Sequence, residues 1–184
     1  MPFVSRAGLK LDHALTHFQI DVTNCTCADL GCNAGGFTDC LLQRGATKVY
    51  AIDTGYGALD WNLRNDPRVV VMERTNAMHA ELPEQVSRIV IDVAWTKQKH
   101  ILPAARRMAA PGSIVITLIK PHYEANPTLL RKGVLPGDAV DAVVKDVEAD
   151  IRAAGFELLG TVPSPITGTK GNAEVLACLR AAPT

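Results

Sequence analysis

Short, almost wholly apolar runs alternate with helix-like segments along the chain, and this alternation is the feature that most restricts its fold. The runs KVYAID, RIVIDV and SIVITLIK are nearly continuous in apolar residues, which is typical of parallel strands covered on both faces. The strand candidates are Thr26–Leu30, Lys48–Asp53, Val69–Glu73, Arg88–Val93 and Ser113–Lys120. The pattern predicts an α/β protein with a doubly wound, mainly parallel sheet.

Helices are predicted between and before these strands. The candidates are Gly36–Arg44, Gln98–Ala110 closed by Pro111-Gly112, residues 138–154, and an N-terminal helix at about 5–18 with Ser5 as its cap. Near the end of the chain, FELLGTVPSP and AEVLACLR are joined by a loop alone, which favours an antiparallel pair at the sheet edge. We therefore expect a seven-stranded sheet with an antiparallel last strand, in a single domain over residues 1–184.

Composition restricts the partners and the location. The 19 basic residues balance 19 acidic ones, so a nucleic-acid partner would need a local basic patch rather than a global field. No apolar run approaches the roughly 18 residues of a membrane span, and MPFVSRAGLK has no signal-peptide core. The chain is predicted to be cytoplasmic and not to engage a membrane. The five cysteines form neither a disulfide framework nor a metal-binding pair, and no metal is expected.

Charged residues close the apolar runs at what would be one edge of the sheet. Ligands of doubly wound sheets bind at the carboxyl ends of the parallel strands. The residues expected there are Asp29, Asp53, Asp92, Lys120 and, at the start of an antiparallel last strand, Glu174. A carboxylate in AEVLACL would be costly to bury unpaired, so Glu174 is expected to face a cation, with Lys120 as the candidate.

The glycine-rich stretch DLGCNAGGFTDCLL predicts a cofactor loop. Its spacing, Gly31 followed by Gly35 and Gly36, matches neither the dinucleotide fingerprint nor the phosphate loop. Asp53 follows at about the distance of an acid that binds a ribose hydroxyl, which indicates a nucleoside cofactor. S-adenosylmethionine, with a ribose and no phosphate, fits both observations, and NAD remains the alternative on spacing alone.

Several segments together resemble one family. VSRAGLKLDHAL, DLGCNAGGFTDCLLQRGATKVYAIDTGYGALDWNLRNDPRVVVMERTNA, RIVIDVA, LIKPHYEA and PSPITGTKGNAEVL are similar to the TlyA branch of the FtsJ-like RNA methyltransferases. The resemblance implies a Rossmann-like methyltransferase fold, S-adenosylmethionine as cofactor, and methylation of ribose 2′-hydroxyls of ribosomal RNA through a Lys-Asp-Lys-Glu tetrad. By motif, the tetrad falls on Lys10, Asp92, Lys120 and Glu174.

The resemblance also implies roles for single residues. Lys120 would be the central base or hydroxyl-orienting group, while Lys10 and Glu174 would position the ribose. The cofactor-binding candidates are Asp29, Gly31, Gly35, Gly36, Phe37, Asp53, Asn76 and Asp92, the last beside the methionine end. Asn76 could equally cap a helix, and Phe37 could simply pack at the start of one.

Three departures from the family leave the acceptor open. The chain begins at the methyltransferase core without the family's S4-type RNA-binding domain, AWTKQ replaces an apolar segment after Asp92, and residues 121–137 form a different loop that keeps Arg131 and Lys132. The expected partner is ribosomal RNA or a ribosomal subunit. The alternatives are a methyltransferase for a small hydroxylated molecule, and a non-catalytic cofactor-binding or haemolysin-like protein.

Overall fold

A computed structural model describes residues 1–182 and contains one seven-stranded sheet. Its strands are β1 (Thr26–Leu30), β2 (Lys48–Ile52), β3 (Val69–Met72), β4 (Val86–Ile91), β5 (Ala109–Ile119), β6 (Phe156–Pro163) and β7 (Val175–Ala181). Their spatial order is β3-β2-β1-β4-β5-β7-β6, and β7 runs antiparallel to both of its neighbours. The doubly wound sheet, its antiparallel last strand and the antiparallel pair of β6 and β7 at the sheet edge are confirmed.

Helices cover both faces of the sheet. They are α1 (Ala7–His17), α2 (Gly36–Gln43), α3 (Trp61–Arg64), α4 (Gln98–Met108), α5 (Pro121–Glu124) and α6 (Gly137–Ala153). The side chains of β2 show why its apolar run is continuous: Val49 and Ala51 enter the core under α1 and α2, whereas Tyr50 and Ile52 enter the core under α4 and α6.

Two helix boundaries differ from the prediction. Helix α4 ends at Met108 and the chain passes directly into β5, so Pro111-Gly112 lie in the strand instead of closing the helix. Gly112 has φ +74° there, near a register shift between β4 and β5. The cap assigned to Ser5 is also wrong, because the N-cap position of α1 is Arg6 and carries no side-chain hydrogen bond.

The segment before α1 is held by α2 instead. The backbone N–H of Val4 donates to Asp39 Oδ2 at 2.8 Å. A Cβ at Gly36 would lie 2.3 Å from Ser5 Oγ and 2.8 Å from the backbone nitrogen of Gly8, so only glycine lets the two helices approach this closely. This contact determines where α1 lies above the sheet.

Two sequence predictions concern the chain as a whole. The predicted single domain includes residues 183–184, which lie outside the described residues. None of the six α-helices in residues 1–182 combines the length and apolar character that a bilayer span requires.

Candidate active site

The charged residues predicted from strand ends lie at one edge of the sheet. Leu30, the last residue of β1, is in register with Ile52 and Ile91, the last residues of β2 and β4. On the other side of β4, Ile119 at the end of β5 pairs with Val175 at the start of β7. The residues that follow β2, β4 and β5 or precede β7 therefore meet at this edge, and they are Asp53, Asp92, Lys120 and Glu174.

Lys10 and Glu174 form a buried ion pair. Lys10 Nζ lies 2.5 Å from Glu174 Oε2, and each residue is only 6% exposed. Buried charges are tolerated when they are paired, and each of these neutralises the other. Gly168 packs against the glutamate, since a Cβ at Gly168 would lie 2.3 Å from Oε1. The carboxylate is therefore enclosed on two sides.

Lys120 and Asp92 form the second pair. Lys120 Nζ lies 2.6 Å from Asp92 Oδ1 and donates to the carbonyl oxygen of Val93 at 3.1 Å. The expectation that Glu174 faces Lys120 is therefore wrong. Although β5 and β7 are neighbours, α1 packs above the sheet and inserts Lys10 toward Glu174, which leaves Lys120 to the carboxylate at the end of β4.

A small cavity joins the two pairs. It has a volume of about 300 Å³, and three members of the predicted tetrad line it: Lys10, Asp92 and Lys120. Glu174 does not line the cavity; it contacts Lys10 instead. The cavity thus presents two ammonium groups, each fixed by a carboxylate. This arrangement can hold a hydroxyl group between donors whose positions are already set.

A larger cavity of about 430 Å³ adjoins the small one over the ends of β1, β2 and β4. Gly31, Asn33, Asp92 and Ala94 line both cavities. Asp53 also lines the larger cavity, and its two carboxylate oxygens accept from the backbone N–H groups of Gly55 at 2.7 Å and Asn33 at 2.9 Å. The carboxylate therefore fixes the glycine loop to the end of β2.

Gly31 is required where the two cavities meet. Its φ is +89°, and a Cβ would lie 2.6 Å from the carbonyl oxygen of Asp92. The backbones of the β1 and β4 ends thus approach too closely for any side chain.

Gly35 and Gly36 serve packing. A Cβ at Gly35 would lie 2.4 Å from a methyl carbon of Leu63, and Gly36 adjoins α1. Neither lines either of these two cavities, whereas Phe37 is 2% exposed and forms part of the small cavity's wall.

Asp29 lies beneath the glycine loop and lines neither cavity. It is fully buried, and its Oδ2 accepts from Thr38 Oγ1 at 2.7 Å. Burial is the main cause that raises the pKa of Asp29 to about 7, against the opposing hydrogen bond from Thr38. The predicted contact of Asp29 with a cofactor stays a prediction.

The alternative interpretation of Asn76 as a helix cap is wrong, because no helix begins there, and its contact with a cofactor stays a prediction. It lines the larger cavity, and its Oδ1 accepts from the backbone N–H of Met78 at 2.9 Å, where it closes a turn rather than a helix. Asn33 was not predicted, although it lines both cavities; its place in the glycine loop is the signal that could have identified it.

Two further side chains near the site were not assigned from the sequence. Trp95 lines the larger cavity, is 81% exposed and has φ +58°, which is rare for a bulky residue. His122, two residues after Lys120, is buried, and its pKa is lowered by burial first and by Lys120, with Glu174 opposing. An aromatic residue in AWTKQ, directly after a charged strand end, was the available signal for Trp95.

The lining of the larger cavity discriminates between the two cofactors considered. Asp53 and Asp92 are its charged residues among those described, and no lysine or arginine lines it. A diphosphate would face two carboxylates without a cation, which costs electrostatic energy. The cationic sulfonium and ammonium groups of S-adenosylmethionine complement such a site, and the predicted contact of Asp53 with a ribose hydroxyl stays a prediction.

A comparison of the sequence with protein-family models decides the assignment. The model described as FtsJ-like methyltransferase matches residues 3–181. The chain belongs to the FtsJ-like methyltransferase family. Membership confirms the predicted resemblance, the Rossmann-like fold, the class of S-adenosylmethionine-dependent methyltransferases and, with it, the predicted cofactor.

Two curated relatives are named as rRNA methyltransferases, and a solved structure is similar over nearly the whole chain. YqxC of Bacillus subtilis, provisionally named an rRNA methyltransferase, is 43% identical over 183 residues, which cover 95% of this chain and 64% of YqxC. The 16S/23S rRNA (cytidine-2′-O)-methyltransferase TlyA of Mycobacterium tuberculosis is 40% identical over 185 residues, covering 97% of this chain and 68% of TlyA. A Streptococcus thermophilus structure with the provisional name of a haemolysin is 38% identical with a TM-score of 0.96, covering 99% of this chain and 68% of that one.

Proposed function

We propose that this FtsJ-like methyltransferase transfers a methyl group from S-adenosylmethionine to a ribose 2′-hydroxyl of ribosomal RNA, through Lys10, Asp92, Lys120 and Glu174. One observation carries the proposal. The small cavity, with its two ion-paired lysines, opens from the larger cavity across Gly31, Asn33, Asp92 and Ala94. A methyl donor in the larger cavity and a hydroxyl in the small one would therefore meet at Asp92.

Methyl transfer requires the protein mainly to position the ribose hydroxyl and to accept its proton. S-adenosylmethionine supplies a methyl group that is already activated for transfer. As the oxygen–methyl bond forms, the sulfonium–methyl bond would break and S-adenosylhomocysteine would leave. Lys120 Nζ, after releasing a proton to solvent, would take the proton of the ribose hydroxyl, and Asp92 at 2.6 Å would stabilise the ammonium that this restores. Lys10, fixed by Glu174, donates a hydrogen bond that orients the ribose toward the donor.

Two features support RNA as the acceptor. The TlyA relative is named for ribosomal RNA and for the 2′-oxygen of cytidine. In addition, the indole of Trp95 is 81% exposed at the rim of the larger cavity, and single-stranded or extruded bases commonly stack on such side chains. Because the chain spans just under two thirds of YqxC, the substrate of that longer protein is carried over as part of the proposal. A cytoplasmic location follows from a ribosomal acceptor and depends on it.

The test is methyl transfer from labelled S-adenosylmethionine to 30S subunits, 50S subunits, naked ribosomal RNA and a small-molecule extract. Nucleoside analysis of the labelled RNA identifies a 2′-O-methyl product. We expect label in one RNA fraction, none with Lys120→Ala, and full activity with Lys145→Ala, which removes an exposed lysine from α6. Label confined to small molecules would overturn the RNA acceptor. A fully active Lys120→Ala would overturn the role of Lys120.

A further inference from the structure

Two segments adjoin the two ion pairs of the proposed site, one after β5 and one before β7. The Lys120 segment (residues 121–137) follows β5, and the Glu174 segment (residues 164–173) precedes β7. Each is therefore attached directly to one of the two ion pairs. Neither takes part in the cofactor cavity, whose lining residues lie between Gly31 and Ile101.

Asn172 joins the two segments into one surface. It is 2% exposed, and its Nδ2 donates to the carbonyl oxygens of Gly133 and Thr169, both at 3.0 Å. Its Oδ1 accepts from the backbone N–H of Leu135 at 3.1 Å. A single buried amide thus satisfies backbone groups of both segments, so that they are held together at a defined distance.

The exposed side chains of this surface are basic. Arg131, Lys132 and Lys170 are all exposed, and a Cβ at Gly133 would lie 3.1 Å from Lys170 Nζ, which places that ammonium against the turn that carries Arg131 and Lys132. Arg131 and Val134 close a tight turn through two backbone hydrogen bonds of 2.8 and 3.0 Å. The surface is therefore a fixed structure rather than a loose loop.

Acidic residues are absent from both segments beyond Glu124. That carboxylate is used elsewhere, since Glu124 Oε1 accepts from the backbone N–H of Gln98 at 2.7 Å. The next acidic residue is Asp138, in the first turn of α6. Within residues 1–182, none of the three cations takes part in an ion pair. In a chain of zero net charge, this is a local concentration of positive charge beside the proposed site.

We infer that Arg131, Lys132 and Lys170 bind backbone phosphates of the RNA strand that carries the acceptor ribose. The inference rests on the proposed function, because a ribose in the small cavity has its neighbouring phosphates at the mouth of that cavity. Lys97 is engaged with the Lys120 segment itself, since its Nζ donates to the carbonyl oxygen of Glu124 at 2.8 Å. The surface fixes the path of the strand and leaves the identity of the base to other groups.

The test compares two triple variants of the same charge change. The first is Arg131→Gln with Lys132→Gln and Lys170→Gln. The control is Lys145→Gln with Arg152→Gln and Arg180→Gln, three exposed cations on α6 and at the far end of β7. Binding of a single-stranded ribosomal RNA fragment is followed by fluorescence anisotropy at several salt concentrations, and methyl transfer and S-adenosylmethionine binding are measured beside it.

For the first variant we expect a higher KM for RNA and an unchanged Kd for S-adenosylmethionine. The slope of log K against log salt concentration should be less steep by about 2, because each phosphate contact on a single strand contributes roughly 0.7 to that slope. The control should keep the parent's salt dependence. Equal losses of RNA affinity in the two variants, or no loss in the first variant, would overturn the phosphate-binding role of this surface while leaving the proposed function intact. A parent that binds and methylates no RNA would overturn both.

Discussion

Lys10 and Glu174 lie 164 positions apart in the sequence, and their Nζ and Oε2 atoms are 2.5 Å apart in the structure. The pair joins α1 to the residue directly before β7, and each of the two charged residues is only 6% exposed.

Breaking this pair should destabilise the fold as well as end methyl transfer. Glu174→Gln leaves Lys10 buried without its counter-charge, which costs on the order of 3–5 kcal/mol of unfolding free energy. The double variant Lys10→Met, Glu174→Met should recover much of that stability and none of the activity. Urea unfolding and methyl transfer measured on the same preparations separate the two effects. A double variant as unstable as Glu174→Gln would contradict the ion-pair account.

Gly31→Ala should damage the site more than the same change at another glycine of similar backbone conformation. The added Cβ would lie 2.6 Å from the carbonyl oxygen of Asp92, and φ is +89°. Gly57→Ala is the control, because Gly57 has φ +71° and nothing within 4 Å of the added atom. Both variants carry the strain of a left-handed alanine, about 1–2 kcal/mol. Only Gly31→Ala is expected to lose S-adenosylmethionine binding as well, which isothermal titration would detect.

Asp53→Ala should weaken cofactor binding through the loop as well as through direct contact. The variant removes the acceptor for the backbone N–H groups of Asn33 and Gly55. Hydrogen bonds to a charged group contribute about 1.5–3 kcal/mol each, so the Kd for S-adenosylmethionine is expected to rise at least tenfold. Glu73→Ala is a suitable control, since Glu73 also accepts a backbone hydrogen bond, from Gly57, but does not line the larger cavity. Equal effects of the two variants on the Kd would argue against a specific role for Asp53.

The raised pKa of Asp29 leads us to expect that the unfolding free energy depends on pH. Burial raises its pKa from 3.8 to about 7, so between these values the folded state holds a proton that the unfolded state has released. Stability contributed by the protonated carboxyl is therefore complete below pH 4 and declines as pH rises toward 7, by on the order of 4 kcal/mol in total. Asp29→Asn should remove this decline while keeping an acceptor for Thr38 Oγ1. Urea unfolding of parent and variant at pH 5 and pH 8 measures the change in unfolding free energy between the two pH values. An equal change in both proteins would contradict the assignment of this pH dependence to Asp29.

The charged residues at the edge of the sheet could be predicted from the sequence because their position depends only on the apolar run that each one follows. Asp53 and Lys120 directly follow apolar runs, and parallel strands bring such residues to one edge whatever else the chain does. The pairing of Glu174 could not be predicted this way. It depends on where α1 packs, and that position follows from the absence of a side chain at Gly36 and from the Val4–Asp39 contact.

The glycine loop shows the same limit. The loop and its distance from Asp53 predict a nucleoside cofactor, yet among the glycines of the loop only Gly31 lies where the cavities meet. Gly35 is explained by Leu63 of α3, a helix of four residues that no periodic pattern in the sequence marks. Long-range packing partners, rather than the motif itself, determine which of its glycines line a cavity.

The contact between Lys10 and Glu174 also has a consequence during protein synthesis. The larger cavity is built from residues between Gly31 and Ile101, so its parts leave the ribosome well before the last strand does. Lys10, which lines the small cavity, cannot acquire its buried counter-charge until residue 174 has emerged and closed a loop of 164 positions, the entropically costly step in assembling the site. In a nascent chain the Lys10–Glu174 pair can therefore form only after every residue that lines the larger cavity has been synthesised.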